Sequence, residues 1–119
     1  KSRQNACAYY NSHLKDIPGI ELYVDPKLKN NSCHLYVIKI LKNFEMNRNT
    51  LFKHLLNKGI RTSVHYKPLN KFSFYKNKLK IYSTLTNSEK LYSQILSLPL
   101  FPQITKRELD LVIETVKYI

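Results

Sequence analysis

The run Arg61-Thr62-Ser63-Val64-His65-Tyr66-Lys67-Pro68-Leu69 gathers more chemistry-bearing side chains than any other stretch of this sequence. His65 can donate or accept a proton near neutral pH. Tyr66 offers a hydroxyl and a stacking face, and Lys67 a charge that attracts phosphate. The segment Thr62–Tyr66 reads as a short strand stopped by Pro68, which puts these groups at a strand end and the start of a loop. In open α/β layers ligands sit at such ends. The competing reading is a His65–Tyr66 pair packed within the domain beside a solvated Lys67.

The remaining reactive residues form no organised set. His13, His34 and His54 lack metal-ligand spacing with each other or with His65. His54 falls on the exposed side of a helix stripe, and His34 starts a strand, where a structural role is expected. Cys7 and Cys33 are too few for a disulfide framework and are not spaced for a metal; they read as reduced thiols of a cytoplasmic protein. No Ser-His-Asp or Cys-His order stands out, and the eight acidic residues are spread along the chain. With glycine only at 19 and 59, every Gly-rich phosphate loop is excluded. No catalytic, cofactor-binding or metal-binding residue is therefore assigned within the chain.

The balance of 20 Lys+Arg against 8 Asp+Glu gives a net charge of +12, which raises the question of nucleic acid or an anionic membrane. Sixteen of the 20 are Lys, scattered from Lys1 to Lys117, and Arg, the better bidentate reader, is scarce. The pattern points to compositional bias rather than a basic face, so neither nucleic acid nor membrane is expected as a partner. No apolar run reaches the roughly 20 residues of a bilayer span, and no signal-peptide pattern opens the chain. The first residue is Lys1 rather than Met, which suggests a piece of something larger.

The elements that must position the 61–69 run follow from periodicity. Ala6, Tyr9, Tyr10 and Leu14 share one face of a helix over 3–14, which Ile17-Pro18-Gly19-Ile20 ends. Leu22, Val24 and Pro26 suggest a short extended piece, and 27–32 a polar connection. Residues 34–41 read as a central strand. A helix over 48–58 carries Leu51, Phe52, Leu55 and Leu56, with Asn47 or Asn49 as cap, Gly59 as left-handed C-terminal residue and Ile60 folding back. Residues 67–86 form a long ordered loop with a helical turn near Phe72–Tyr75. Asn87 or Ser88 opens a helix carrying Leu91, Tyr92 and Ile95, and 97–100 is a strand that Pro99 places at a sheet edge. Thr105 and Glu108 make a capping box for a last helix over 106–118, with its stripe at Leu109, Val112, Ile113 and Val116. The expected architecture is α/β (α+β): a single domain, 1–119, with a small sheet of about three or more short strands and helices packed on it.

Four ordered motifs carry a family resemblance. Gly59 to Leu69 resembles the "GI-x-T-x-VHY-x-PL" signature of DegT-type (DegT/DnrJ/StrS) nucleotide-sugar aminotransferases. Ile17–Ile20 is similar to that family's turn after the interdomain helix, 34–38 to the first strand of its small domain, and 95–102 with Thr105 and Glu108 to its "LSLPLFP-x-LT-x-x-E" ending. The resemblance implies the C-terminal small domain of a fold-type-I enzyme, with residues 1–16 the end of the interdomain helix. It implies pyridoxal 5'-phosphate held mainly by a large domain that also carries the Schiff-base lysine. It further implies amino transfer, usually from glutamate, to a nucleotide-linked keto-deoxysugar for surface polysaccharide or glycan, and a homodimer. On that basis His65, Tyr66 and Lys67 lie near the sugar or diphosphate, and the isolated chain is inactive. Two positions depart from the family pattern: the final His of "PLH" is Asn70, and "P-x-AE" survives only as Glu89. The Phe72–Tyr75 run resembles members acting on UDP-linked amino-deoxysugars. The alternatives are a stand-alone basic nucleic-acid-binding module and a regulatory paralogue that keeps only this fold.

Overall fold

The computed structural model describes residues 1–23, 31–76, 78 and 85–119. In chain order the elements are α1 (Ser2–Leu14), β1 (Ile20–Leu22), β2 (Tyr36–Ile40), α2 (Arg48–Asn57), a 3₁₀ turn (Leu69–Lys71), α3 (Ser73–Lys76), α4 (Thr86–Gln94), β3 (Ile95–Leu98) and α5 (Lys106–Lys117). The sheet has three strands in the order β1-β2-β3, so β2 is central as its composition predicts, and β3 lies at one side. Both pairings are antiparallel, with Ile20 opposite Ile40 and Ile38 opposite Leu96. The fold is thus the α+β form of the expected class. The strand-end rule for open α/β layers does not apply to it, because neighbouring antiparallel strands end on opposite sides.

The side-chain alternation of β2 explains its place. Tyr36, Ile38 and Ile40 are buried on one face, while Val37 and Lys39 are half-buried on the other. The first set joins Leu96 and Leu98 of β3, Tyr10 and Leu14 of α1, Leu51 and Leu55 of α2 and the α5 stripe in one core. All four expected α5 positions, Leu109, Val112, Ile113 and Val116, are buried. Tyr10 and Tyr36 stack at 4.7 Å between ring centres. Their hydroxyls are satisfied by Pro99 O at 3.0 Å and Asn11 Oδ1 at 2.6 Å. Burial pushes both phenols above their ordinary range. Tyr9 donates to Asp110 Oδ1 at 2.6 Å, tying α1 to α5.

Cys7 and Cys33 are buried and unbridged. Burial first, then the hydrogen bond with Cys33, pushes the Cys7 thiol up to about 12. No helix among the described residues is long and apolar enough to cross a membrane.

The helix ends follow the local signals. Asn47 caps α2 by accepting from Asn49 N and Thr50 N. At its other end Gly59 takes φ +78, its N–H bonds Leu56 O at 2.9 Å, and Ile60 N–H bonds Leu55 O at 2.9 Å, a Schellman arrangement that buries Ile60. The capping box of α5 is complete in both directions between Thr105 and Glu108. Gly19, at φ +81, is needed twice over: a Cβ there would lie 2.4 Å from the backbone N of Phe44.

Several expectations shift. Thr62–Tyr66 is not a strand but a single bridge, Ser63 to Ser97, because Pro68 follows closely and β3 has ended by Pro99. β3 starts at Ile95, since pairing with Lys39 draws that residue out of the α4 stripe. α4 opens at Thr86 with Leu85 in the cap position and no side-chain cap, so neither Asn87 nor Ser88 serves. β2 begins at Tyr36, leaving His34 outside it and exposed. Leu56 is 50% exposed, and His54 is half-buried rather than solvated. Val24, Pro26, most of the 27–32 connection and most of 77–84 lie outside the described residues.

Candidate functional site

The Ser63–Ser97 bridge builds the site. Ser63 N–H bonds Ser97 O at 3.2 Å and Ser97 N–H bonds Ser63 O at 2.8 Å, so the two residues exchange both backbone bonds. Directly opposed residues share a face, and a residue two further along an extended segment returns to it. His65 therefore lies diagonal to Ser97, and its Nδ1 meets Ser97 Oγ at 2.9 Å. Val64, on the alternate side, packs against the core. Ser97 is only 4% exposed, which makes its hydroxyl a fixed partner. Since Nδ1 is engaged, Nε2 is the ring nitrogen left to face a ligand.

The three residues singled out from sequence stand together at this edge. His65 is half-buried; Tyr66 is 73% exposed and meets the His65 ring edge-on, with centres 4.8 Å apart. The His65–Tyr66 peptide bond is cis. Lys67 is exposed, with Nζ 5.0 Å from the centre of the Phe72 ring. His65 pairs with Tyr66 and Lys67 is solvated, as in the competing reading, but His65 is only half-buried and bonded within the domain at one ring nitrogen.

Beyond Pro68 the 3₁₀ turn is clamped to α4. Asn70 Nδ2 donates to Glu89 Oε1 at 2.9 Å, and Lys71 Nζ lies 2.8 Å from Glu89 Oε2. The Lys71 ammonium, then the Asn70 amide, hold the Glu89 carboxyl below the usual carboxylate range. Asn70 thus works as a structural tie, and its own Oδ1 is buried without a hydrogen-bond partner among the described residues. Phe72, between the turn and α3, and Phe74 and Tyr75 of α3 are exposed, with Lys67 Nζ over the Phe72 ring and Lys78 Nζ 4.3 Å from the centre of the Phe74 ring.

A cleft of about 120 Å³ lies behind His65, lined by His34, Arg61, Ser63, Ser97 and the apolar Leu98–Leu100 segment. Ser97 and His34 escape a reading of sequence alone, because only the pairing of β3 with β2 and with the 61–65 run brings them beside Arg61 and His65. A wider depression on α5 is lined by that helix alone. No group of three or more His, Cys, Asp or Glu among the described residues is placed to hold a metal. Of the described lysine side chains only Lys39 is not exposed, and it is paired with Glu21 at 2.9 Å.

Comparison with known proteins gives consistent matches. A transaminase of Campylobacter jejuni strain 81-176 acting on UDP-4-amino-4,6-dideoxy-N-acetyl-beta-L-altrosamine is 38% identical over 98% of this chain. Helicobacter pylori PseC, an aminotransferase involved in the biosynthesis of pseudoaminic acid, superposes with a TM-score of 0.84 at 27% identity over 97% of the chain. Spr1654 from Streptococcus pneumoniae, solved in PLP-form, covers 98% of it with a TM-score of 0.80 at 27% identity. The chain spans 30–31% of the length of these proteins. Residues 1–117 match throughout, and the chain belongs to the DegT/DnrJ/EryC1/StrS aminotransferase family.

Proposed function

We propose that residues 1–119 are the C-terminal small domain of a pyridoxal-phosphate-dependent aminotransferase. The enzyme moves an amino group from glutamate onto the keto carbon of a nucleotide-linked deoxysugar destined for a surface glycan. Family membership and the substrate named for the Campylobacter relative support this reading, and the chain's share of its relatives' length suits one domain of the whole. In it, residues 1–16 end the interdomain helix, and the enzyme is a cytoplasmic homodimer.

The described residues do not themselves fit pyridoxal phosphate. They offer no Gly-rich cradle, since Gly19 and Gly59 both close turns, and no buried lysine. The Schiff-base lysine belongs to the large domain in this proposal, and no chemical step is assigned to this chain.

What the chain contributes is substrate contact. The observation that carries this is the clustering of His65, Tyr66 and Lys67 outside the core, with His65 oriented by Ser97. His65 offers Nε2 to a sugar hydroxyl or phosphate oxygen. Tyr66 brings an exposed ring and hydroxyl, and Lys67 a mobile charge for the diphosphate.

In the full-length enzyme, His65→Ala is expected to lower kcat/KM by roughly 10- to 150-fold, the equivalent of one hydrogen bond to a charged or polar ligand. Bound-cofactor absorbance should be unchanged. Unaltered kcat/KM would remove His65 from the substrate site.

A further inference from the structure

We propose that the cleft between the His34–Leu35 approach to β2, the Arg61–His65 run and β3 is an oxyanion-binding site, taking a single carboxylate or phosphate group. The proposal stands on this chain alone and does not require the aminotransferase reading.

The lining sets the ligand class. Arg61, His34 and His65 contribute a guanidinium and two imidazoles, and Ser63 a hydroxyl; among the described residues no Asp or Glu lines the cleft. A cation would therefore meet donors and no carboxylate. For an oxyanion the lining includes Arg61, and the paired N–H groups of a guanidinium match two oxygens of a carboxylate or phosphate. Arg61 has no carboxylate partner and His34 no hydrogen bond among the described residues, so both are free to turn to a ligand. His65 is already oriented: Ser97 Oγ holds Nδ1 at 2.9 Å.

Size narrows the class. Drug-sized ligands occupy pockets of about 300–1,000 Å³. A cleft of about 120 Å³ is well below that, and its interior has room for one ionised group. The apolar Leu98–Leu100 wall on one side lowers the local dielectric and strengthens a charge-assisted bond.

Two sources could deliver such a group, an amino acid's carboxylate or a phosphate, and titration separates them. The 119-residue chain is titrated with inorganic phosphate and, separately, with glutamate at constant ionic strength, following the imidazole resonances of His34 and His65 by NMR. Saturable 1:1 shifts of both imidazoles are expected with at least one anion. Phosphate alone identifies a phosphoryl site, glutamate alone a carboxylate site, and both together a general oxyanion site.

Arg61→Gln should weaken the affinity at least about tenfold, as expected for losing a charged hydrogen bond. Lys117→Gln, which removes the same charge from α5, should leave it within about twofold. His34→Gln, at an exposed position outside the strands, should give an intermediate loss. Shifts that never saturate, or equal losses in Arg61→Gln and Lys117→Gln, would reveal only the diffuse attraction of a +12 chain and overturn the site.

Discussion

The Ser97–His65 hydrogen bond can be isolated by a double-mutant cycle, because each partner can be removed without touching the backbone bridge beneath it. Ser97→Ala deletes Oγ and leaves Nδ1 of a half-buried imidazole without its protein partner. His65→Ala removes the ring and leaves a hydroxyl at a position only 4% exposed. A net hydrogen bond contributes about 0.5–1.5 kcal/mol, and a stranded buried group costs about 1–3. Water can reach His65, so Ser97→Ala should sit near the low end, about 1 kcal/mol. In the double mutant the bond is already gone and neither stranding cost recurs. The two single losses should therefore exceed the double loss by about 1 kcal/mol.

Urea unfolding of the chain, followed by far-UV circular dichroism, reads this directly. With a slope of about 1–3 kcal/mol/M, a loss of 1 kcal/mol moves the midpoint by about 0.3–1 M. A coupling energy within about 0.3–0.5 kcal/mol of zero, the additivity expected of independent sites, would refute the argument that Ser97 orients His65. The imidazole would then be placed by the backbone alone.

Two glycines with nearly equal φ give a second test. Gly59→Ala meets open space, so only the left-handed backbone is disfavoured, by about 1–2 kcal/mol. Gly19→Ala adds a Cβ 2.4 Å from the Phe44 backbone N, which cannot rotate away, and should lose clearly more in the same urea assay; equal losses would contradict the close approach. A third test uses acid. The Asp110 carboxyl is held low by the Tyr9 hydroxyl and then by Lys106, so its folded pKa lies below the unfolded one. Its stabilisation is complete above the ordinary carboxylate range and is lost as pH falls through the depressed value. Tyr9→Phe should flatten the acid limb of a stability-versus-pH curve, and an unchanged limb would show that the α1–α5 tie is not the cause.

What could be read in advance follows the range of the interactions. The Thr105–Glu108 box, the Asn47 cap and the Gly59–Ile60 ending depend on residues within six positions, and all three form as expected. The α5 stripe is equally local. Ile95 misled because an apolar residue suits a helix face as well as a strand, and its pairing with Lys39 lies 56 positions away. His34 likewise looked like strand until the pairing of Tyr36 with Leu98 set where β2 begins. In the 61–69 run the residue types drew attention to His65, but the partner that orients it is 32 positions away and belongs to a segment notable in sequence only for its apolar character.

That partner's position also explains why register carries the site. Ser97 lies on the face of β3 opposite Leu96 and Leu98, which join the core, and the bridge puts Ser63 and His65 on that same outer face while Val64 points inward. A slip of one residue between the two segments would exchange these sets. Val64 would then meet Ser97 at the cleft, and His65 would enter a core with no described polar group waiting for it, which costs about 1–3 kcal/mol for the unpaired imidazole on top of the lost apolar contact. A single backbone bridge would be weak specification by itself. It suffices here because the apolar side chain between two polar ones admits only one alignment, so the burial of Val64 and the exposure of the His65 edge are two results of the same register.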